Sequence, residues 1–265
     1  MSDLSPLLAF AHRLADAAAL ETMSLFRAEL EIDNKLGGGG FDPVTLADRN
    51  AEAAIRALIT QEFPDHGMLG EEFDEKQPSS SGDGFSWVID PIDGTRAFIS
   101  GMPSWGSLIA LSQNGIPVLG IMDQPYVGER FCAMRGGTAL HLRAGKRTPI
   151  STRACPTLEQ ATVATTAPEL LISPGASAAW GEISTSARLV RYGGDCYNYA
   201  LLAAGFVDIV IEEGLKPFDI QALIPIVEQA GGIVTNWQGG PAHEGGQVVA
   251  CGDTRIHASI VSHLP

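Results

Sequence analysis

The run Trp87-Val88-Ile89-Asp90-Pro91-Ile92-Asp93-Gly94-Thr95 constrains this chain more than any other stretch. Three large apolar residues in succession read as the end of a buried strand. A buried strand that ends in two carboxylates, three residues apart, needs something to hold their charge. Pro91 withholds a backbone donor between them, and Gly94-Thr95 leads into a possible short helix, "RAFIS". Exposed N–H groups at a helix start form an anion site, so a phosphate could sit beside whatever the aspartates hold.

Further carboxylates stand where other elements end: Asp48 after "VTLA", Glu71 after "GMLG" and Asp219 after "LKPF". A hard divalent cation such as magnesium takes oxygen ligands, and a pair of such ions activates a water while holding the leaving oxygen of a phosphate ester. That chemistry needs four or five carboxylates in one place. In this scheme Asp90 bridges two ions, and Asp93, beyond the Pro91-Ile92 turn, reaches one. Each piece also has a plainer reading. Glu71-Glu72 alone is a solvated acidic turn, Asp48 and Asp219 are helix caps, and "DPIDGT" is an Asx turn with a capping threonine. Together the stretches are far more specific than any one of them.

The balance of charge agrees with a metal-assisted site. A formal net charge of -14 over 265 residues argues against a nucleic-acid or membrane-surface partner, which would need a basic excess. Any phosphate bound here comes with cations. Cys132, Cys155, Cys196 and Cys251 show neither disulfide nor zinc-site spacing, which fits a reducing, cytoplasmic compartment. "MSDLSPLLAFAHRLADAAAL" reads as a soluble amphipathic helix and not a signal peptide.

That helix carries Leu7, Leu8, Ala11, Leu14, Ala15 and Ala18 at helical spacing, with Ser5 as N-cap and Pro6 in the first turn. Near Glu31 it gives way to a loop containing Lys35 and the glycines Gly37–Gly40, whose backbone freedom predicts mobility. A second helix is predicted over roughly 48–63, stopped by Pro64, and short apolar runs then alternate with turns to Leu142. Beyond it, strands ("ATVATT", "ARLVRY", "VDIVIEE", "GGIVT") alternate with helices around 176–183, 195–204 and 218–230. This pattern divides the chain into an N-terminal α+β lobe, 1–145, carrying most candidate ligands, and a C-terminal α/β lobe, 146–265, carrying Asp219.

A competing phosphatase pattern, Asp-x-Asp-Gly-Thr with the first aspartate as nucleophile, fails because Pro91 stands where that nucleophile would be. Instead "DPVTLAD", "GEEF", "WVIDPIDGT" and "KPFDIQALIPIVEQAGG" resemble, in order, the metal-binding signatures of the inositol monophosphatase superfamily of lithium-sensitive phosphatases. "DPIDGTRAFISGMPSWGSLIAL" and "RYGGDCYNYALLAAGFVDIVIEEGLKPFDI" are similar to its histidinol-phosphate phosphatase branch. The resemblance implies an α/β (α+β) fold, the layered α/β/α/β/α sandwich shared with fructose-1,6-bisphosphatase, and commonly a homodimer. It implies two or three Mg2+ ions, with Mn2+ able to substitute. Glu71, Asp90 and the Ile92 carbonyl would hold the first, and Asp90, Asp93 and Asp219 the second. Glu71 would share a looser third, with Asp48 helping through water. Thr95, paired with Asp48, would orient the attacking water, and the Gly94 and Thr95 amides would bind phosphate. The family often has Trp-Asp or Tyr-Asp where this chain has Phe218-Asp219, a change that keeps the ligand.

A substrate carrying an amine and an imidazole, such as L-histidinol phosphate, wants carboxylates near the phosphate site. Asp195 and Glu212 lie in the stretch the family uses for substrate, though one could simply cap a helix and the other end a strand. Arg191 would reach a neighbouring active site or pair with surface acids. A polyol phosphatase of the same fold, or a catalytically idle metal-binding regulator, are the alternatives that substrate kinetics would separate.

Overall fold

The computed structural model describes residues 3–28, 32–34, 43–80 and 82–265; Lys35 and the Gly37–Gly40 loop lie outside them. Its strands are β1 (Ile32–Asn34), β2 (Pro43–Thr45), β3 (Gly67–Gly70), β4 (Phe85–Asp93), β5 (Gly106–Gln113), β6 (Ile116–Gln124), β7 (Glu129–Met134), β8 (Leu140–Arg143), β9 (Lys146–Pro149), β10 (Thr162–Thr165), β11 (Leu189–Tyr192), β12 (Ile209–Leu215), β13 (Ile233–Asn236) and β14 (Gly246–Cys251). The helices are α1 (Ser5–Leu25), α2 (Leu46–Glu62), α3 (Thr95–Ile99), α4 (Ala176–Ser186), α5 (Asp195–Ala203), α6 (Pro217–Ile220), α7 (Leu223–Gln229) and α8 (Thr254–His263).

β3 to β9 form a seven-stranded sheet in chain order, parallel between β3 and β4 and antiparallel thereafter. A second sheet has the order β11-β10-β12-β14-β13, parallel across its first three strands. Period-two alternation sorts side chains into layers. On β4 and β5, Trp87, Ile89, Ile109 and Leu111 face α1 and α2, while Val88, Leu108 and Ala110 face the helices between the sheets. On the second sheet Ala164, Val210, Val248 and Ala250 face those same middle helices, α5 and α7, whereas Val163, Ile209, Ile211 and Val249 face α4 and α8. The result is the layered α/β/α/β/α sandwich. Both faces of each sheet are covered, which is why the strands read as continuous apolar runs.

Several local expectations are corrected. Ser5 is the first helical residue of α1 and not its cap; its N–H is taken by the Asp3 carboxylate at 2.9 Å. The single helix predicted over 218–230 is two, α6 and α7. Pro225 has no N–H for the Gln221 carbonyl and its ring crowds that group, so the helix breaks ahead of it. The break lets the Ala222 backbone press on β6, where a Cβ at Gly120 would collide with the Ala222 carbonyl. The hairpin of β8 and β9, the strand β14 and the helix α8 were not anticipated; the hairpin carries β9 as the far edge of the first sheet. Among the described residues no helix is long and apolar enough to cross a membrane.

Candidate active site

On a regular strand, residues three apart point to opposite faces. Asp90 and Asp93 nevertheless share a site, because β4 bulges between them: Asp90 pairs with Leu108 and Asp93 with Gly106, so β4 spends one more residue than β5 over that interval. Pro91, with no donor to lose, sits inside the bulge, and its carbonyl accepts the Ser107 hydroxyl at 2.7 Å. The Asp90 carboxylate takes the Ile92 N–H at 3.1 Å, and Thr95 Oγ1 donates to the Ile92 carbonyl at 3.2 Å. The turn chemistry is therefore real, and it aims both aspartates inward.

Asp219 arrives from the other side as the third residue of α6, its carboxylate accepting the Lys216 N–H at 2.7 Å. It caps its helix and also joins the aspartates of β4. One carboxylate oxygen from each of Asp90, Asp93 and Asp219 lies within 4.8 Å of the others. Burial pushes the Asp90 carboxyl well above its ordinary range, followed by the charges of Glu71, Asp93, Asp219 and Asp48. Burial does the same to Asp93, helped by Asp195 and Asp219 and opposed by the Cys196 N–H, which donates to Asp93 at 2.6 Å. Five predicted ligand or catalytic carboxylates from four chain segments thus act on one another. So many cannot ionise together without cations, and a donor set made only of oxygens fits hard divalent ions.

Glu71 is placed by α2. Buried Glu52 takes the Glu72 N–H at 2.8 Å and is paired with Arg56 at 2.6 Å, while Arg56 reaches the carbonyls of Phe73 and Asp74. Asp48 lies buried in the first turn of α2. Gly94, with φ of 85°, starts α3; a Cβ there would lie 3.0 Å from the Asp195 Cγ, so glycine lets the "DGT" turn and the start of α5 close on each other.

Beside the carboxylates opens a cavity of about 330 Å³. Asp93 and Asp219 stand at one end, Asp195, Glu212, Tyr199 and Thr166 along the wall, and Leu170, Ile172 and Leu215 at the apolar part. Both recognition candidates, Asp195 and Glu212, are here. Burial holds Asp195 up at about 6, with Arg96 pulling the other way, and Glu212 up at about 7. Glu212 accepts the Thr166 N–H at 2.8 Å and the Thr166 hydroxyl at 2.9 Å. Thr166 follows β10 directly and Glu212 lies just past the part of β12 that pairs with it in parallel, the side on which α/β sheets place their ligands. Arg191 stands exposed on edge strand β11 and does not line this cavity. A larger cavity of about 460 Å³, between Asp16 and the hairpin around Arg143, holds none of the motif residues.

Sequence reasoning missed Thr166, which tethers Glu212, the Cys196 amide, which holds Asp93, and Tyr199. The four-residue spacing of Asp195 and Tyr199 was the available signal, since it puts both on one helix face.

The profile of the inositol monophosphatase family matches residues 3–265. The chain belongs to that family. It is therefore a phosphatase of this metal-dependent class. A chloroplastic bifunctional phosphatase, IMPL2, from Arabidopsis thaliana is 41% identical over 99% of this chain and 76% of its own length. The histidinol-phosphatase of Chlorobaculum parvum is 40% identical over 89% of this chain and 88% of its own. The solved structure of an inositol monophosphatase from Zymomonas mobilis superposes with a TM-score of 0.86 at 43% identity, covering 99% of each chain.

Proposed function

We propose that this family member is a magnesium-dependent phosphomonoesterase that hydrolyses L-histidinol phosphate to L-histidinol and phosphate. The observation that carries the substrate is the acidic wall beyond the metal-binding carboxylates. Among the described residues, Asp195 and Glu212 line a cavity in which no lysine, arginine or histidine appears, so a cationic amine or imidazole is favoured there over a neutral polyol. The Chlorobaculum parvum histidinol-phosphatase supports the reading, and so do relatives of that name at 34% and 33% identity. The Zymomonas mobilis neighbour, named an inositol monophosphatase, favours inositol phosphate as the second reading.

In this reading Glu71, Asp90, the Ile92 carbonyl, Asp93 and Asp219 hold two or three Mg2+ ions, which Mn2+ can replace. When bound, such ions lower the pKa of a water and neutralise the phosphate charge. Thr95 Oγ1 gives its own proton to the Ile92 carbonyl, so its lone pairs face the attacking water and, with Asp48, orient it in line with phosphorus. The Gly94 and Thr95 amides bind the phosphate oxygens, and no phosphoenzyme forms. A cytoplasmic homodimer, with Arg191 near the partner's site, completes the reading.

Steady-state kcat/KM on L-histidinol phosphate, inositol 1-phosphate and glycerol phosphate, with Mg2+ present, is the test. Preference for inositol phosphate in the wild-type enzyme would transfer the assignment to the second reading.

A further inference from the structure

We propose that Tyr199 is a specificity-determining residue whose hydroxyl accepts a hydrogen bond from a protonated nitrogen of the substrate. The inference rests on the histidinol phosphate reading above and gives a role to a residue that the quoted sequence stretches contain without one.

Tyr199 is 2% exposed, its ring packed among the apolar residues between the two sheets. Its hydroxyl has no hydrogen-bond partner among the described residues, although it lines the cavity beside Glu212 and Asp219. Buried tyrosine hydroxyls ordinarily find a partner, so an orphan at a cavity wall marks where a ligand atom belongs. Tyr199 follows Asp195 by four residues on α5, and the helix presents a carboxylate and a phenol on one face.

What the phenol would meet follows from its neighbours. The charged groups acting on it are the carboxylates of Glu212, Asp93 and Asp219, none of them a hydrogen-bond partner, and their field turns the positive O–H end of the phenol toward them and its lone pairs toward the cavity. Its lone pairs then need a donor. Thr166, a neutral donor on that wall, directs both its N–H and its hydroxyl at Glu212. The donor must come with the ligand. An ammonium or imidazolium N–H makes the stronger, charge-assisted bond, whereas a polyol hydroxyl brings no charge to an already acidic wall.

Tyr199→Phe removes the oxygen and keeps the ring. The ratio of kcat/KM for L-histidinol phosphate to that for glycerol phosphate should fall by about tenfold or more, carried mainly in KM. Inhibition by L-histidinol, which has the nitrogens without the phosphate, should weaken by about the same factor. The melting temperature should hold or rise, because the phenyl ring leaves no buried oxygen unpaired. If the wild type prefers neutral esters, the substrate reading falls and this inference with it. If the wild type prefers histidinol phosphate but the ratio and the L-histidinol inhibition stay unchanged in Tyr199→Phe, this inference alone is wrong. A parallel loss on both esters would show that the ring only shapes the cavity, and would equally overturn it.

Discussion

Replacing Glu212 with Gln should make the metal-free protein more stable and the enzyme less selective. Glu212 is 4% exposed, and its carboxyl is pushed up from 4.5 to about 7, chiefly by burial, against the pull of its bonds from Thr166. The native state therefore holds this proton more tightly than the unfolded chain. Below pH 4.5 both states are protonated and nothing is lost. Between 4.5 and about 7 the unfolded chain releases its proton first and stability falls. Above that, at 1.36 kcal/mol for each pH unit between the two values, the ionised side chain costs the fold roughly 3 kcal/mol. Gln keeps the shape but bonds Thr166 less strongly, losing about 1 kcal/mol of charge-assisted bonding, so a net gain of about 2 kcal/mol remains at pH 8. For a chain of this length that is about 4–8 °C in melting temperature.

The assay is thermal unfolding of chelated, substrate-free wild type and Glu212→Gln at pH 5 and pH 8. The difference in melting temperature should be large at pH 8 and small at pH 5. Equal differences at the two pH values, or destabilisation at pH 8, would refute the reasoning, because the effect would then not come from the charge. In the loaded enzyme the same change should weaken L-histidinol phosphate by roughly 1.5–3 kcal/mol, about 10- to 150-fold in kcat/KM, and a neutral ester much less. A residue kept at a cost to the fold is the pattern of a functional group.

Asp93→Asn removes a charge from the proposed second metal site while keeping its shape, and turnover should fall by roughly 10²-fold or more with the fold intact; near-wild-type rates would make Asp93 a turn residue only. Exhaustive EDTA should abolish activity and lower the melting temperature, and added Mg2+ or Mn2+ should restore both, since ions that bind only the native state stabilise it; full turnover after chelation would end the metal-dependent mechanism. Glu52→Ala should lower both stability, by about 1.5–3 kcal/mol for a buried charged hydrogen-bond acceptor, and kcat, because the Glu72 N–H and Arg56 that hold the Glu71 segment lose their anchor; an unchanged kcat in a folded variant would separate Glu52 from the site.

The parts legible in the sequence are those decided locally. α1 and α2 show their apolar faces at helical period, and the core strands show unbroken apolar runs because both faces are covered. The carboxylates were legible because an acid after a buried strand violates the ordinary pattern. The hairpin of β8 and β9 was not, since "LHLR" and "KRTP" are largely polar and β9 is exposed along its whole length. α8 left a signal that went unread: Asp253 caps the helix through the Arg255 N–H, and Ile256 and Ile260 are its buried face. The tether of Glu212 by Thr166 and the seating of Tyr199 depend on two strands and a helix meeting, and no short window of residues contains that information.

The meeting point is α5, and in the proposed function it makes recognition and catalysis parts of one module. Its first turn gives Asp93 the Cys196 N–H, and its first residue, Asp195, closes on Gly94. Its second turn sets Tyr199 against Glu212 and the cavity. In that reading a rigid helix fixes the distance between the proposed phosphate position and the wall proposed to read the rest of the substrate, across two sheets that share no strand. Substitutions that shift α5 should lower kcat and selectivity together, whereas Tyr199→Phe, which leaves the helix in place, should act on the ratio of substrates through KM. That difference in kinetic signature distinguishes a group that contacts the ligand from one that only positions its neighbours.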